Sequence, residues 1–281
     1  MLSYRHIYHA GNFADVFKHV VLVQLLRALR RKDTPFCVLD THAGIGRYDL
    51  NADEAQKNRE FAAGVLRVLD CADRPGAVED YLALVRAENA DAQILTHYPG
   101  SPRLIRALLR PQDRLILSEL HKADHAQLRQ LFAGDAQVGV HLQDAYQGLK
   151  AFLPPKEKRG LVLIDPPYER KDEYERVAEH LELAYRRWPT GVYAIWYPVL
   201  SRSLVTRFHQ HISATGIRKI LCAELCVEDD TDRARFSGSG LLIVNPPWPL
   251  QDEIAALLPW LWECLAPDGR GATRVDWLVS E

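Results

Sequence analysis

Residues 160–171 read GLVLIDPPYERK: four apolar side chains, then an acid, two prolines and an aromatic. A short unbroken apolar run stopped by a proline turn is the pattern of a buried β-strand. Further on, GLLIVNPPWPL (240–250) repeats the pattern with Asn245 and Trp248 in the places of Asp165 and Tyr168. Working outward, FCVLD (36–40), RLILSEL (114–120) and VGVHLQD (138–144) read as strands before the first copy. Helical spacing marks 14–31, 122–132 and 145–152. After the first copy come helix 171–187, strand VYAIWYPV (192–199), helix 201–214, strands 217–227 and 238–245, and helix 251–265. Strands alternating with helices predict an α/β fold with a doubly wound, mostly parallel sheet.

One interval is too long for a single crossover. About seventy residues separate the first two strands, where one helix and two short loops normally suffice. Within it, EAQKNREFAAGVLRVLDCA (54–72) and PGAVEDYLALVRAENA (75–90) read as amphipathic helices around a DRPG break. The expected organisation is a main domain of 1–48 and 98–281, with a helical insertion at 49–97.

The chain has 281 residues, 47% of them hydrophobic, and a net charge of −2. That balance argues against a generic nucleic-acid coat, whose affinity comes from neutralising phosphates, but it leaves room for a local basic cleft. No apolar run approaches the roughly 18 residues of a membrane helix. The opening MLSYRHIYHAGNFADVFKH is too polar for a secretory signal. A cytoplasmic monomer without metal is expected. Cys37, Cys71, Cys222, Cys226 and Cys264 are scattered and read as structural thiols. CAELC (222–226) could be half a metal site, but nothing near it in sequence completes one.

Three strand ends carry acids. Asp40 closes the first strand and leads into THAGIG, where Gly44 and Gly46 permit a tight turn and close approach to a ligand. Glu119 closes the second, placed to accept from the two hydroxyls of a ribose. Asp144, followed by Ala145, closes the third, placed to accept from an adenine amino group. A dinucleotide is disfavoured because the GxGxxG spacing would need glycine where Asp49 stands. The set points to S-adenosylmethionine. At the fourth strand end, Asp165 and the Pro166 carbonyl can accept from both N–H groups of an aryl amine, and Tyr168 offers a face for a flipped base. Prolines keep those acceptors aimed. Catalysis would be positioning for in-line attack together with charge stabilisation.

The two copies of the motif should differ in direction. If 217–227 runs up the sheet and 238–245 returns antiparallel, Asn245 falls at the edge opposite the cofactor, roughly 15–20 Å away. Asn245-Pro-Pro-Trp248 is then a structural cap, with Trp248 the costlier side chain to remove if buried. The first copy is catalytic.

The chain resembles the family of 23S ribosomal RNA adenine-N6 methyltransferases of the RlmJ type. The resemblance is carried by MLSYRH, HAGNFADVFKH, LDTHAGIGRY, YPGSP, LSELH, GLVLIDPPYE, WYPV, ATGIRKILCAEL, SGSGLLIVNPPW and LPWLWECLAPDGRG, nearly end to end. It implies a class I S-adenosylmethionine-dependent methyltransferase: a Rossmann-like sheet of seven strands, mostly parallel, the last antiparallel, with a helical insertion. It implies cofactor contacts at Lys18, His19, His42, Ser101, Glu119 and Asp144. It also implies catalysis by Asp165 in the DPPY motif and 23S rRNA contacts at Tyr4 and its neighbour His6. Ser101-Pro102 equally suits a helix N-cap with proline at N1. Lys18 and His19 would otherwise read as groups on a helix surface. Competing readings are an adenine-N6 DNA methyltransferase, a glutamine-N5 protein methyltransferase, and a nucleic-acid-binding or DNA-uptake protein without turnover. About fifty residues of insertion are few for a DNA-recognition domain, the glutamine enzymes prefer Asn at the first motif position, and an intact Asp165 disfavours the last.

Overall fold

A computed structural model describes residues 4–89, 94–229 and 236–281. In chain order its elements are α1 (Phe13–Arg30), β1 (Cys37–Asp40), β2 (Arg47–Asp49), α2 (Asp53–Asn58), α3 (Arg67–Asp70), α4 (Gly76–Ala87), β3 (His97–Pro99) and α5 (Ser101–Leu108). Then follow β4 (Arg114–Glu119), α6 (Lys122–Leu131), β5 (Val138–Leu142), α7 (Ala145–Phe152), β6 (Gly160–Ile164) and α8 (Glu173–Arg187). The chain closes with β7 (Val192–Val199), α9 (Arg202–Ala214), β8 (Ile220–Cys226), β9 (Gly238–Val244), α10 (Leu250–Leu265) and β10 (Thr273–Val279).

The strand order is β10-β8-β9-β7-β6-β1-β4-β5. β5, β4, β1, β6 and β7 are parallel, and β9 is antiparallel to both its neighbours. This is the class I methyltransferase sheet, with one strand more than expected. β10 adds to β8 as an antiparallel edge. Its sequence, TRVDWLV, is half-buried and carries Arg274 and Asp276 within the run, so hydrophobicity does not announce it. The central strands are apolar throughout because both faces are covered. Val38, Leu161 and Leu163 face one apolar core, shared with α1, α5 and α10. Leu39, Val162 and Ile164 face the other, under α7, α8 and α9.

Helix α1 is buried on nearly every side. Asn12 caps it, its Oδ1 accepting from the Asp15 N–H at 2.9 Å, and Arg27 and Arg30 complement its C-terminal dipole. The burial comes from α3 and α4, whose Val68, Val78, Tyr81 and Leu82 join Phe17, Val20 and Leu26 of α1 in one core. The helices between 53 and 87 therefore complete the main core. β2 and β3, three residues each and too short for a sequence signal, pair antiparallel at the base of this segment. Gly64 passes so close to the turn before α1 that a Cβ there would lie 2.1 Å from the Gly11 carbonyl oxygen. Cys71 and Cys264, expected as thiols, form a disulfide joining the end of α3 to α10, with Cα atoms 6.5 Å apart. Folding brings together what 193 residues of sequence separate. No helix among the described residues is long and apolar enough to cross a membrane.

The ends of β9 decide the question of the doubled motif. Val244 pairs with Tyr193 at the start of β7, and Gly238 with Val199 at its end. Asn245 thus lies at the edge where the parallel strands begin, while Asp165 follows the end of β6. Asn245 adopts φ +53°. Its Nδ2 donates to the carbonyls of Pro189 and Gly191, each at 2.8 Å. Trp248 corrects the other half of the expectation: it is 87% exposed, so its removal opens no cavity.

Candidate active site

The parallel strands deliver Asp40, Asp165, Glu119 and Asp144 to one edge, the edge where ligands of open α/β sheets sit. There the chain forms a cavity of about 370 Å³. Beneath Asp165, the Tyr168 backbone turns through φ +50°, and its hydroxyl donates to the Trp196 carbonyl at 2.8 Å. The Tyr168 ring lies 4.6 Å from that of Tyr174 and edge-on to Trp196 at 5.8 Å. The aromatic wall is thereby fixed before any ligand arrives.

Asp165 is held by charge. Its Oδ2 receives Lys18 Nζ at 2.6 Å, and Lys18 also reaches Asp15 Oδ1 at 2.9 Å. The other oxygen of Asp15 accepts from the Gly11 N–H and faces His6 Nε2, both at 2.9 Å. His6 Nδ1 meets the Tyr4 hydroxyl at 2.8 Å. Burial works against an ammonium at Lys18, yet Asp15 and Asp165 together raise its pKa. Burial alone would raise Asp15, but His6 and Lys18 hold it well below the carboxylate range. The consequence for Asp165 is geometric. One oxygen is committed to Lys18, and the other stays available.

The opposite end of the cavity is built from backbone donors and half-used acids. Gly44 sits at φ +60°, where a Cβ would lie 2.4 Å from the Tyr48 hydroxyl oxygen. Its N–H donates to Glu119 Oε2 at 2.8 Å, and the His121 N–H donates to Oε1 at 2.7 Å. A carboxylate has about four acceptor positions, so these bonds orient Glu119 and leave lone pairs for a ribose diol. Burial raises the Glu119 pKa, against those two N–H groups. Asp144 caps α7, its Oδ1 accepting from the N–H groups of Tyr146 and Gln147, which leaves Oδ2 for an amino group. His42 is neutral, its pKa lowered by burial to about 4. The Thr41 hydroxyl spends its hydrogen on the Leu163 carbonyl, so it accepts from His42 Nδ1–H at 2.8 Å.

Of the residues singled out in sequence, Tyr4, His6, Lys18, His19, His42, Gly44, Ser101, Glu119, Asp144, Ala145, Asp165, Pro166 and Tyr168 all border this cavity. Asp40 does not. It is fully buried behind the wall, accepting from the Ser101 hydroxyl at 2.7 Å and, at 3.4 Å, from the His42 N–H. Burial, with Asp165 opposing from nearby, raises its pKa to about 7. Ser101 is also not the helix cap. Gly100 takes that place in extended backbone, and Ser101 is the first residue of α5. Asp15, Trp196 and Phe236 border the cavity without having been foreseen. Asp15 left a trace, standing three residues before Lys18 on the same helix face. Trp196 read only as part of a strand. Its Nε1 donates to Ser239 Oγ at 2.8 Å, and Lys18 Nζ stands 5.6 Å from its ring centroid.

Away from the cavity, His209 joins Cys222 and Glu224 of the CAELC strand in a buried trio that could hold a metal ion. The Tyr197 hydroxyl already occupies its centre, donating to Glu224 Oε1 at 2.7 Å and lying 3.0 Å from His209 Nε2. Arg202 meets the remaining Glu224 oxygen at 2.8 Å. As it stands the trio is a satisfied polar cluster.

Residues 33–279 match the family model described as ribosomal RNA large subunit methyltransferase D, RlmJ. Two curated proteins, each called ribosomal RNA large subunit methyltransferase J, align over all of both chains. The one from Haemophilus influenzae is 46% identical and the one from Escherichia coli K12 is 47% identical. A crystal structure of a Legionella pneumophila protein is also similar, with a TM-score of 0.88 and 36% identity. That match covers 96% of this chain and 98% of the other.

Proposed function

Because the chain belongs to the RlmJ family of large-subunit ribosomal RNA methyltransferases, we propose that it methylates the exocyclic N6 amino group of one adenine in 23S rRNA. The cofactor is S-adenosylmethionine, which when bound supplies the electrophilic methyl group. The donor set fits it: Glu119 keeps lone pairs for ribose hydroxyls, Asp144 Oδ2 for the adenine amino group, and Gly44 leaves room for close backbone approach. Lys18, His19, His42, Ser101 and Ala145 take the remaining contacts. Asp40 acts from behind, holding Ser101 and the His42 N–H.

The target adenine leaves its stack and enters beside Tyr168, whose ring is held by its hydroxyl bond to the Trp196 carbonyl. Tyr4 and His6 close over it from the N-terminal side. The free Asp165 oxygen accepts one N6–H and the Pro166 carbonyl the other. The nitrogen lone pair, otherwise delocalised into the ring, is drawn into line for displacement at the methyl carbon. Lys18 keeps Asp165 aimed without competing for that second oxygen. Most of the acceleration is orientation and fixed electrostatics. The helical segment within 49–97 is the candidate for reading RNA beyond the target base.

The observation that carries this reading is Asp165 clamped by Lys18 at the end of β6, in the same cavity as Glu119 and Asp144. The test offers labelled cofactor with 23S rRNA, duplex DNA and protein in parallel, then digests the product to nucleosides. N6-methyladenosine from rRNA alone is expected. Label in DNA or in glutamine, or at another position of the base, would overturn it.

A further inference from the structure

His19 borders the cavity while being only 1% exposed, and its ring does not act alone. Its Nδ1 lies 2.8 Å from the Tyr98 hydroxyl on β3. That hydroxyl lies 2.9 Å from the Tyr81 hydroxyl on α4. Tyr81 and Tyr98 are both 0% exposed. Burial lowers the His19 pKa to about 3, so the ring is neutral and one of its nitrogens carries a hydrogen. Counting hydrogens decides which. If Nδ1 were protonated, it would donate to Tyr98. Either the Tyr98 or the Tyr81 hydroxyl hydrogen would then lack an acceptor in an apolar interior, an arrangement buried polar groups avoid. If Nδ1 is bare, Tyr81 donates to Tyr98 and Tyr98 donates to His19, and both hydroxyl hydrogens are used. Only that arrangement strands neither hydroxyl hydrogen in the buried chain, and it puts the imidazole hydrogen on Nε2, the nitrogen outside that chain. No described residue takes a hydrogen bond from that nitrogen.

We propose that Tyr98, backed by Tyr81, is a positioning residue that fixes His19 as the Nε2–H tautomer. His19 then presents a donor to the carboxylate at the amino-acid end of the cofactor. The inference rests on the functional reading above. The acid-rich neighbourhood gives the device its purpose. Lys18 is engaged by Asp15 and Asp165. The Ser101 hydroxyl hydrogen goes to Asp40. A neutral donor of fixed direction can meet a carboxylate there without adding a second titrating charge beside Lys18. The chain Tyr81–Tyr98–His19 also gives the helical segment a direct hand in cofactor binding, since α4 supplies its far end.

The test reads the ring itself. In ligand-free, histidine-labelled protein, long-range nitrogen–proton correlation should show His19 with a protonated Nε2 and a bare Nδ1. Tyr81→Phe should leave that pattern unchanged, because Tyr98 still donates. Tyr98→Phe should release it, giving a mixture or the opposite tautomer, and weaken S-adenosylmethionine binding by calorimetry roughly ten-fold, as for a lost bond to a charged group. KM for the cofactor should rise in step, with kcat moving far less. Tyr81→Phe/Tyr98→Phe removes the stranded Tyr81 hydroxyl, so it should melt higher than Tyr98→Phe while binding cofactor just as weakly. That split separates positioning from stability. A protonated Nδ1 in the wild type overturns the proposal. So does a Tyr98→Phe protein with unchanged ring signals or unchanged affinity. The ring spectrum needs no substrate, so a wrong rRNA assignment would leave it as described and show only in the methylation assay.

Discussion

Asn245→Ala tests the assignment of the two proline motifs most directly. The substitution removes two hydrogen bonds, to the carbonyls of Pro189 and Gly191, each worth about 0.5–1.5 kcal/mol. It also leaves alanine at φ +53°, a left-handed conformation that asparagine eases through its short polar side chain, so the change costs roughly 1 kcal/mol more. Together these predict a loss of about 2–4 kcal/mol. In a chain of this size that lowers Tm by roughly 5–15 °C. Asn245→Gly loses the same bonds without the backbone strain, so it should recover part of the difference. Trp248→Ala, with the side chain 87% exposed, should stay within about 0.5 kcal/mol of wild type. None of the three should alter kcat or KM per folded molecule. Val244 faces Tyr193, several residues before the Trp196 carbonyl that holds Tyr168, which puts Asn245 roughly 15 Å from the reacting atoms. The assay pairs thermal melts with turnover normalised to folded protein. A ten-fold loss of turnover at an unchanged Tm would show that the second motif takes part in chemistry.

Asp165→Ala should abolish methyl transfer while largely keeping S-adenosylmethionine binding, as measured by calorimetry; a folded variant with substantial turnover would refute the mechanism. Glu119→Ala should weaken cofactor binding by about 1–3 kcal/mol, the loss of a charged acceptor, and unchanged binding would remove Glu119 from the site. Asp40 gives a pH signature. Burial, with Asp165 nearby, raises its carboxyl from an ordinary 3.8 to about 7, so the folded state binds more protons than the unfolded state between those values. Its contribution to stability therefore falls as pH rises from about 4 to about 7 and is level above that. Thermal melts across this window should show Asp40→Asn gaining on wild type as pH rises, and a constant gap would contradict the raised pKa.

Sequence made the parallel strands and their terminal acids legible, because strands buried on both faces are apolar throughout and their ends are punctuated by glycine or proline. The direction of β9 followed from the expected methyltransferase sheet, whose last strand returns antiparallel, and the pairing of β9 with β7 and β8 agrees. What it missed has physical causes. β10 is an edge strand with charges inside its run, and β2 and β3 are too short to show a period. Asp40 sits where a cofactor acid would, but only the packed structure shows it behind Ser101. Asp15 and Trp196 join the cavity through tertiary contacts spanning much of the chain, for which local spacing gives little or no sign. Trp248 was expected to matter for stability, most of all if buried; nothing local in the sequence shows that the chain turns there with the ring at the surface.

The placement of β1 bears on how the polypeptide is made. Cys37 aligns with Arg114 of β4 on one side and with Gly160 of β6 on the other. A ribosome adding about 5–20 residues per second therefore exposes β1 for several seconds before β4 can reach it. β6 follows β1 by roughly 6–25 s. Until β4 arrives both backbone edges of an apolar strand stand open, and one stays open until β6 follows, the state most prone to pairing with the wrong chain. Closing so long a loop costs little extra free energy, because each doubling adds only about 0.6 kcal/mol, but it delays the contact. Nascent chains arrested before residue 160 should bind chaperones through FCVLD, and release should follow once GLVLI clears the exit tunnel.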